Sequence, residues 1–364
     1  MPSPFFNIEM LPARHGDCLW IEYGKGDDVY RLLIDGGPVS TYPFIDQRIN
    51  QMPSGDKAFE LIVLTHVDAD HVEGLVRLFA EKPLPFSVDQ VWFNGWRQIK
   101  KSHGLLGAVQ GEFLSALLAR RATPAWNAGA PPWVVLKEGM LPRYDLSDGM
   151  VITLLSPSPA KLTKMAKKWE SAVQKEGFTP GDLDAAWDAL AGKKQFLPKK
   201  GLLGAAPNLD ALLKKQFLKD QAAPNGSSIA FLAEYGNKSA LFLADAHTDV
   251  VCASIKRLCA ERGLKRLSVD AVKISHHGSK SNTNTTLLKL LRSPAYLIST
   301  NGDQFKHPDR ECIARILKNG KPERLYFNYR SRYTKPWLTK EAQKKYDYQA
   351  IVRDDAELSL KIPL

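Results

Sequence analysis

The stretch LIVLTHVDADHVEGL (residues 61–75) decides how the chain is read. A strand-sized apolar run leads straight into a loop that carries His66, Asp68, Asp70 and His71 within six residues. From residue 72 the apolar side chains recur at helical spacing, in VEGLVRLFAEK (72–82). A strand end followed by a tight loop can point four side chains at one spot, and imidazole with carboxylate at that density suits a divalent transition metal. An ordinary polar loop with an Asp capping the helix is the plainer alternative, but few loops concentrate two His and two Asp in this way.

Strand, polar loop, helix is an α/β rhythm, and it extends in both directions. Upstream lie FFNIEML (5–11), DCLWIEYG (17–24) and YRLLIDGG (30–37); downstream VDQVWFNGW (88–96) returns to a strand. A helix is expected at GAVQGEFLSALLARR (107–121), then strands around WVVLKEG (133–139) and GMVITLLSP (149–157). Residues 158–223 form a Lys-rich helical insertion, with twelve lysines against six acids between residues 161 and 219. That stretch alone supplies about half of the net charge. The second half repeats the layout, though not the residues, through SSIAFLAEYG (227–236), SALFLADAH (239–247), DAVKIS (270–275), AYLIST (295–300) and RLYFN (324–328), with helices between. Two such halves suggest two sheets packed between helix layers, as a single domain over residues 1–364 with a basic, aromatic C-terminal extension at 324–364.

Three further clusters follow strand ends. SALFLADAH brings Asp245 and His247, DAVKISHHGSKSNTN (270–284) brings His276 and His277, and STNGDQFKHPD (299–309) brings His307. Singly each is weak. Together with the first loop they hold six of the chain's eight His, and the ends of neighbouring strands fall on one edge of a sheet, where separate loops meet in one cleft.

The order His-x-Asp-x-Asp-His, then a strand-end Asp, then His-His-Gly-Ser resembles the metallo-β-lactamase superfamily, and within it the ComEC-like soluble hydrolase domain of DNA-uptake competence proteins. HGDCLWIEYG (15–24), LLIDGG (32–37), NGSSIAFLAEYG (225–236), VKISHHGSKSN (272–282) and ISTNGDQFKHP (298–308) match its blocks in order over residues 5 to about 318, with 158–223 unmatched. The membrane channel of the competence proteins is absent, so a free-standing relative is expected. The resemblance implies an αββα sandwich of two mixed sheets flanked by helices, with a pair of divalent metal ions (Mn or Zn, with Mg as a further option) at the edge of the sheets. His66 and Asp68 would serve the first metal, Asp70 and His71 the second, and Asp245 would bridge. Asp68 stands where the superfamily usually has His, which shifts preference from Zn toward Mn or Mg. The superfamily's mid-chain His is replaced by Ser156, so the first metal is weak or absent, or His247, His276 or His277 fills the gap. His276 is favoured as ligand and His277 or His307 as a phosphate-facing acid; the reverse, with His307 as final ligand, stays open.

Around these, Asp70, His277 and His307 are the candidate catalytic residues, and Lys273, Ser279, Lys280 and Asn282 the candidate substrate contacts. Asp17 and Asp35 are candidate carboxylates for orienting ligand His. Asn225 and Ser228 match the family's Asn-x-x-Ser block, which would position the loop bearing Asp245, and His247 is expected beside the same loop.

The 364 residues carry Lys+Arg 50 against Asp+Glu 39, a net charge of +11 at 44% hydrophobic content, which excludes disordered tails, collagens and disulfide scaffolds. Cys18, Cys252, Cys259 and Cys312 form no C-x-x-C pair, no signal-peptide pattern opens the chain, and no apolar run approaches the ~20 residues of a membrane span. A soluble, cytoplasmic protein is expected. The basic balance favours a nucleic-acid partner, and a protein partner is compatible with it. Lys and Arg interleaved with Tyr326, Phe327, Tyr329, Tyr333 and Trp337 suit single-stranded nucleic acid. The primary expectation is a metal-dependent hydrolase cleaving phosphodiesters with a metal-activated water, a DNA or RNA nuclease. The alternatives are a small-molecule hydrolase (cyclic nucleotide, lactone or ester) and a non-catalytic nucleic-acid-binding or partner-docking module with a structural or decayed metal site.

Overall fold

Alternation of side chains along the N-terminal strands sorts them onto two faces. Leu19, Ile21, Tyr23, Leu32, Ile34, Leu61 and Val63 join one buried cluster, while the intervening Trp20, Leu33, Ile62 and Leu64 join another. A sheet buried on both faces needs a cover on each side, and the computed structural model shows what the covers are. It describes residues 2–99, 108–121, 125–127, 134–175, 177, 179–191 and 217–364.

The strands in chain order are β1 (Pro4–Met10), β2 (Leu19–Lys25), β3 (Asp28–Ile34), β4 (Ala58–Val63), β5 (Ser87–Trp92), β6 (Ala125–Trp126), β7 (Arg143–Asp145), β8 (Val151–Ser156) and β9 (Ala230–Tyr235). They continue with β10 (Lys238–Phe242), β11 (Leu267–Ser268), β12 (Ala271–Lys273), β13 (Leu291–Arg292), β14 (Ala295–Ile298), β15 (Arg324–Phe327), β16 (Gln349–Val352) and β17 (Leu360–Pro363). One sheet has the order β17-β1-β2-β3-β4-β5-β6 and the other β16-β15-β14-β12-β10-β9-β8-β7; β11 and β13 pair separately. Both large sheets are mixed: β1 to β3 are antiparallel and β3 to β6 parallel, while β10, β12, β14, β15 and β16 run parallel beside antiparallel β7 to β9.

The inner faces pack on each other through residues such as Ile21, Leu61, Leu154, Phe231 and Phe242. Outside the first sheet lie helices Tyr42–Asn50, Ala69–Phe79, Ala108–Ala119 and Pro159–Lys175, through Ile45, Leu75, Phe113 and Trp169. Outside the second lie Thr248–Glu261, Thr285–Leu290 and Arg310–Arg315, through Ile255, Leu288 and Ile313. The architecture is therefore the expected four-layer αββα sandwich. No helix among the described residues is long and apolar enough to cross a membrane.

One local expectation differs from what forms, the strand at WVVLKEG. Residues 134–137 of WVVLKEG make no strand, because their backbone is occupied elsewhere: Val134 exchanges two bonds with the Asn94 side chain and Leu136 N donates to Pro157 O. The lysine-rich helix Pro159–Lys175 docks by an apolar face, burying Leu162, Met165, Ala166, Trp169 and Val173, with Trp169 Nε1 donating to Glu112 Oε1 at 2.8 Å. Beyond residue 191 most of the lysine-rich stretch lies outside the described residues.

The C-terminal extension is woven into both sheets, since β15 and β16 extend the second and β17 pairs antiparallel with β1. Its aromatics serve the core as a result. Tyr326, Phe327 and Trp337 are buried and unavailable to stack on bases, which leaves Tyr329 and Tyr333 half-buried beside exposed Arg330 and Arg332.

Candidate metal centre

Parallel strands present their C-terminal ends together, and the chemistry sits there. β3 leads into Asp35, β4 into His66, β10 into Asp245, β12 into His276 and His277, and β14 into the loop bearing His307. Several of these exits use left-handed backbone at residues other than glycine: Asp35 (φ 60°), Ala244 (φ 46°), His276 (φ 48°) and His277 (φ 53°). Each such conformation costs roughly 1–3 kcal/mol and persists only where the surroundings over-determine it. At the His-His turn the next residue, Gly278, is also left-handed (φ 88°), and a Cβ there would stand 2.7 Å from Pro308 Cβ. Glycine is what lets this turn close against the loop of His307.

The imidazoles are aimed by what holds their Nδ1 atoms. Asp35 accepts from Thr65 N (2.7 Å) and Thr65 Oγ1 (2.7 Å), and its Oδ2 lies 2.8 Å from His71 Nδ1, which therefore carries the proton. With its hydroxyl hydrogen committed to Asp35, Thr65 Oγ1 accepts from His66 Nδ1 at 3.0 Å. Ser299 O lies 3.1 Å from His277 Nδ1, and a carbonyl only accepts. Asn282 spends its amide NH2 on Asp220 Oδ2 and Asp245 O, so its Oδ1 accepts from His276 Nδ1 at 2.9 Å. All four Nε2 atoms are left facing inward. His66, His71, His276 and His277 Nε2 lie 3.8, 3.6, 3.6 and 3.8 Å from one atom, Asp245 Oδ2.

Carboxylates complete the ring. Asp68 Oδ2 is 3.7 Å from His66 Nε2, and Asp70 Oδ2 is 3.5 Å from His277 Nε2 and 3.9 Å from His71 Nε2. Asp68 occupies the N-cap position of helix Ala69–Phe79, yet its side chain makes no capping bond and stays with the cluster. His66-His71-Asp245, Asp70-His71-His277 and Asp17-Asp245-His277 are each close enough to share an ion. His66 Nε2 and Asp245 Oδ1 are buried with no hydrogen-bond partner, a costly state that a cation would relieve. The donor set thus fits a divalent metal.

Without a cation, protons balance the charge. Burial pushes His277 down, but Asp17 and Asp245 outweigh it and hold the ring up at about 9. His71 is raised in the same way by Asp245 and Asp35 against its burial. Asp70 is held at about 2, burial being overcome by His71 and His277. Asp68, half-buried, is pushed up to about 7 by desolvation and then by Asp70, and His66 is pulled down to about 3 by burial and then by His71. Cation binding would replace these protons.

The other sequence-expected residues sit as follows. Asp17 Oδ1 is 3.4 Å from His277 Nδ1, and its Oδ2 accepts from Lys273 Nζ. Lys273 is 1% exposed, so this lysine anchors Asp17 inside the fold and does not open onto solvent or a cleft. Ser279 is buried, Lys280 is exposed beside Asp309, and Asn282 is fully enclosed by the network above; the cap of helix Thr285–Leu290 is Asn284. Asn225 donates to Asp220 Oδ2 at 2.8 Å, and Ser228 is buried. His247 is turned to Lys161, whose Nζ lies 2.8 Å from its Nδ1. His307 packs on His276 with ring centroids 5.4 Å apart and is held at about 3 by burial, then by His276 and His277.

One member of the site escapes sequence reading altogether. Asp220 Oδ2 binds the amides of Asn225 and Asn282 and lies 3.5 Å from His276 Nδ1, while Oδ1 accepts from Ala222 N. It sits at the end of the lysine-rich stretch, where no motif marks it. His15 and Phe305 also reach the rim, their rings 5.7 Å apart.

No family model matches the chain, and no curated protein matches it. Among solved structures it is similar to the metallo-beta-lactamase fold protein YhfI from Bacillus subtilis, at 10% identity and a TM-score of 0.44 over 100% of both chains. It is also similar to Zn(2+)-bound PqqB from Methylobacterium extorquens, at 13% identity and a TM-score of 0.42 over 96% of this chain and 87% of that one. A third is CmlA, a diiron beta-hydroxylase from Streptomyces venezuelae, at 12% identity and a TM-score of 0.38; all of this chain is covered, but only 55% of CmlA. These are likenesses of general architecture, and the chemistry of the site is carried by its own donor geometry.

Proposed function

We propose that this chain is a metal-dependent hydrolase that cleaves phosphodiester bonds in DNA or RNA, a ComEC-like nuclease in the terms of the sequence resemblance. The observation that carries the metal centre is the convergence of four imidazole Nε2 atoms within 3.6–3.8 Å of Asp245 Oδ2. His66, Asp68 and His276 would hold one cation and Asp70, His71 and His277 the other, with Asp245 between them; Mn or Zn suits the mixed nitrogen and oxygen donors, and Mg is the weaker fit. When bound, such cations activate water as a nucleophile and neutralise charge on a phosphoryl oxygen.

The chain's own residues supply the remaining needs. Asp35, Thr65, Ser299 and Asn282 fix each imidazole in the ligand tautomer, which removes reorganisation from the reaction. Both ring nitrogens of His277 are engaged inside the site, so the proton donor for the leaving oxygen falls to His307. An incoming phosphodiester brings negative charge to His307, the sense needed to raise it from about 3 toward a working acid. Exposed Lys280 offers a counter-charge for a nonbridging oxygen. The net charge of +11 supports a polyanionic substrate.

Cleavage of end-labelled single- and double-stranded DNA and RNA by metal-stripped protein, with Mn, Mg or Zn added back, tests the reading. Metal-dependent cutting that Asp70→Ala and Asp245→Ala both abolish is expected; cutting that survives in both variants would sink it. The burial of Tyr326, Phe327 and Trp337 favours a second reading, hydrolysis of a small cyclic nucleotide, lactone or ester. A KM insensitive to salt would mark that case.

A further inference from the structure

Phe305 is the one aromatic among the exposed large apolar side chains of the described residues, at 41% exposure. A single exposed ring is ordinary on a protein surface, but this one stands at the rim of the metal centre. Its ring lies nearly parallel to His307 (28°, centroids 6.2 Å apart), edge-on to His15 (5.7 Å), and 6.5 Å from the ring of His276. The loop that presents it is clamped on both sides. Asn301 N donates to Arg14 O, and Gly302 is pressed so closely on Tyr333 that a Cβ would stand 2.2 Å from its Cδ2. Within the loop Gly302 N donates to Thr300 Oγ1, Asp303 N to Asn301 Oδ1 and Lys306 N to Gly302 O. Holding an apolar ring half in water on a fixed loop gains nothing for folding, but it removes the ordering cost when a planar ligand arrives.

Resting on the hydrolase reading above, we propose that Phe305 is a stacking platform for the nucleobase next to the phosphate held at the metal centre. Exposed Lys306 follows it in sequence as a counter-charge for the phosphate backbone, while Arg14 on the neighbouring loop is paired with Asp303 at 3.5 Å. The subsite reads the flat face of a base and tolerates sequence, because every base has one. It also supplies base contact at the cleft itself, where the buried aromatics of the C-terminal extension cannot.

Fluorescence anisotropy with a labelled oligothymidylate and an abasic strand of equal length separates base stacking from charge. The full chain is used with Mn present and with phosphorothioate-linked strands, so that the metal centre stays loaded and no strand is cut, and cleavage of the corresponding phosphodiester strands in Mn is followed separately. The wild type should bind the base-bearing strand roughly 5- to 150-fold more tightly, the span expected of one stacked base. Phe305→Ala should abolish that preference and Phe305→Trp retain it, both at unchanged melting temperature. A wild type that does not discriminate, or a Phe305→Ala that still does, overturns the subsite. Discrimination without cleavage keeps the subsite and sinks the hydrolase reading; cleavage without discrimination does the reverse.

Discussion

Replacing Asp35 by Asn tests whether the cation site is set from behind. The carboxylate accepts from Thr65 N, Thr65 Oγ1 and His71 Nδ1 at 2.7, 2.7 and 2.8 Å, all in the interior. An amide keeps the shape but turns one acceptor into a donor. With the NH2 toward Thr65 N, two donors meet, and a buried unpaired donor costs about 1–3 kcal/mol of stability. With the NH2 toward His71, the ring must take its other tautomer and put its proton on Nε2, where a cation needs the lone pair. Loss of such an orienting carboxylate typically weakens metal binding about 10- to 100-fold, or about 1.4–2.7 kcal/mol. Competition for Zn against a chromophoric chelator reads the affinity, and urea unfolding of the metal-free chain reads the stability. Unchanged metal affinity in a folded Asp35→Asn would refute the claim that Asp35 sets the His71 tautomer.

Asp220→Ala strips the acceptor from the Asn225 and Asn282 amides and frees His276, so one of two steps in a metal titration should weaken by about tenfold while the other stays put. Gly278→Ala forces a Cβ into left-handed backbone 2.7 Å from Pro308 and should cost about 1–3 kcal/mol in urea unfolding. His277 stands at about 9 in the metal-free fold against an ordinary 6.5. Its stabilising contribution is therefore full below 6.5 and lost as pH rises through about 9. The metal-free chain should accordingly melt lower at the alkaline end of that window, and saturating cation, which replaces the proton, should oppose the loss. Trp337→Ala should cost about 3–5 kcal/mol of stability, with the affinity of the folded fraction for single-stranded DNA unchanged; a selective loss of binding would return that ring to the surface.

What could be read in advance was what lies close in sequence. His66 to His71 announce themselves because strand, loop and helix are consecutive, and Asp245, His276, His277 and His307 follow because each ends a strand whose pattern is visible. Asp35 was legible as an orienting carboxylate, and its bonds to Thr65 and His71 give it that geometry; Asp17 stands 3.4 Å from His277 Nδ1, but its hydrogen bond goes to Lys273. Lys273 was misleading, since alternation in DAVKIS shows which residues share a face but not that the face is closed by Asp17. Asp220 was invisible because its partners lie 5 and 62 residues away and belong to two different loops. The extension misled for a related reason. Its Lys and Arg mixed with Tyr and Trp look like a nucleic-acid face until β17 is seen to pair with β1, more than three hundred residues earlier, a register that no local pattern carries.

Anomalous diffraction from crystals of the wild-type chain soaked in Mn tests the central claim most directly. Strong peaks are expected among His66, Asp68, Asp70, His71, Asp245, His276 and His277, with Asp245 touching both ions where two are bound, and none in Asp245→Ala. A cation bound elsewhere with this cluster empty, or a peak undiminished in Asp245→Ala, would contradict it.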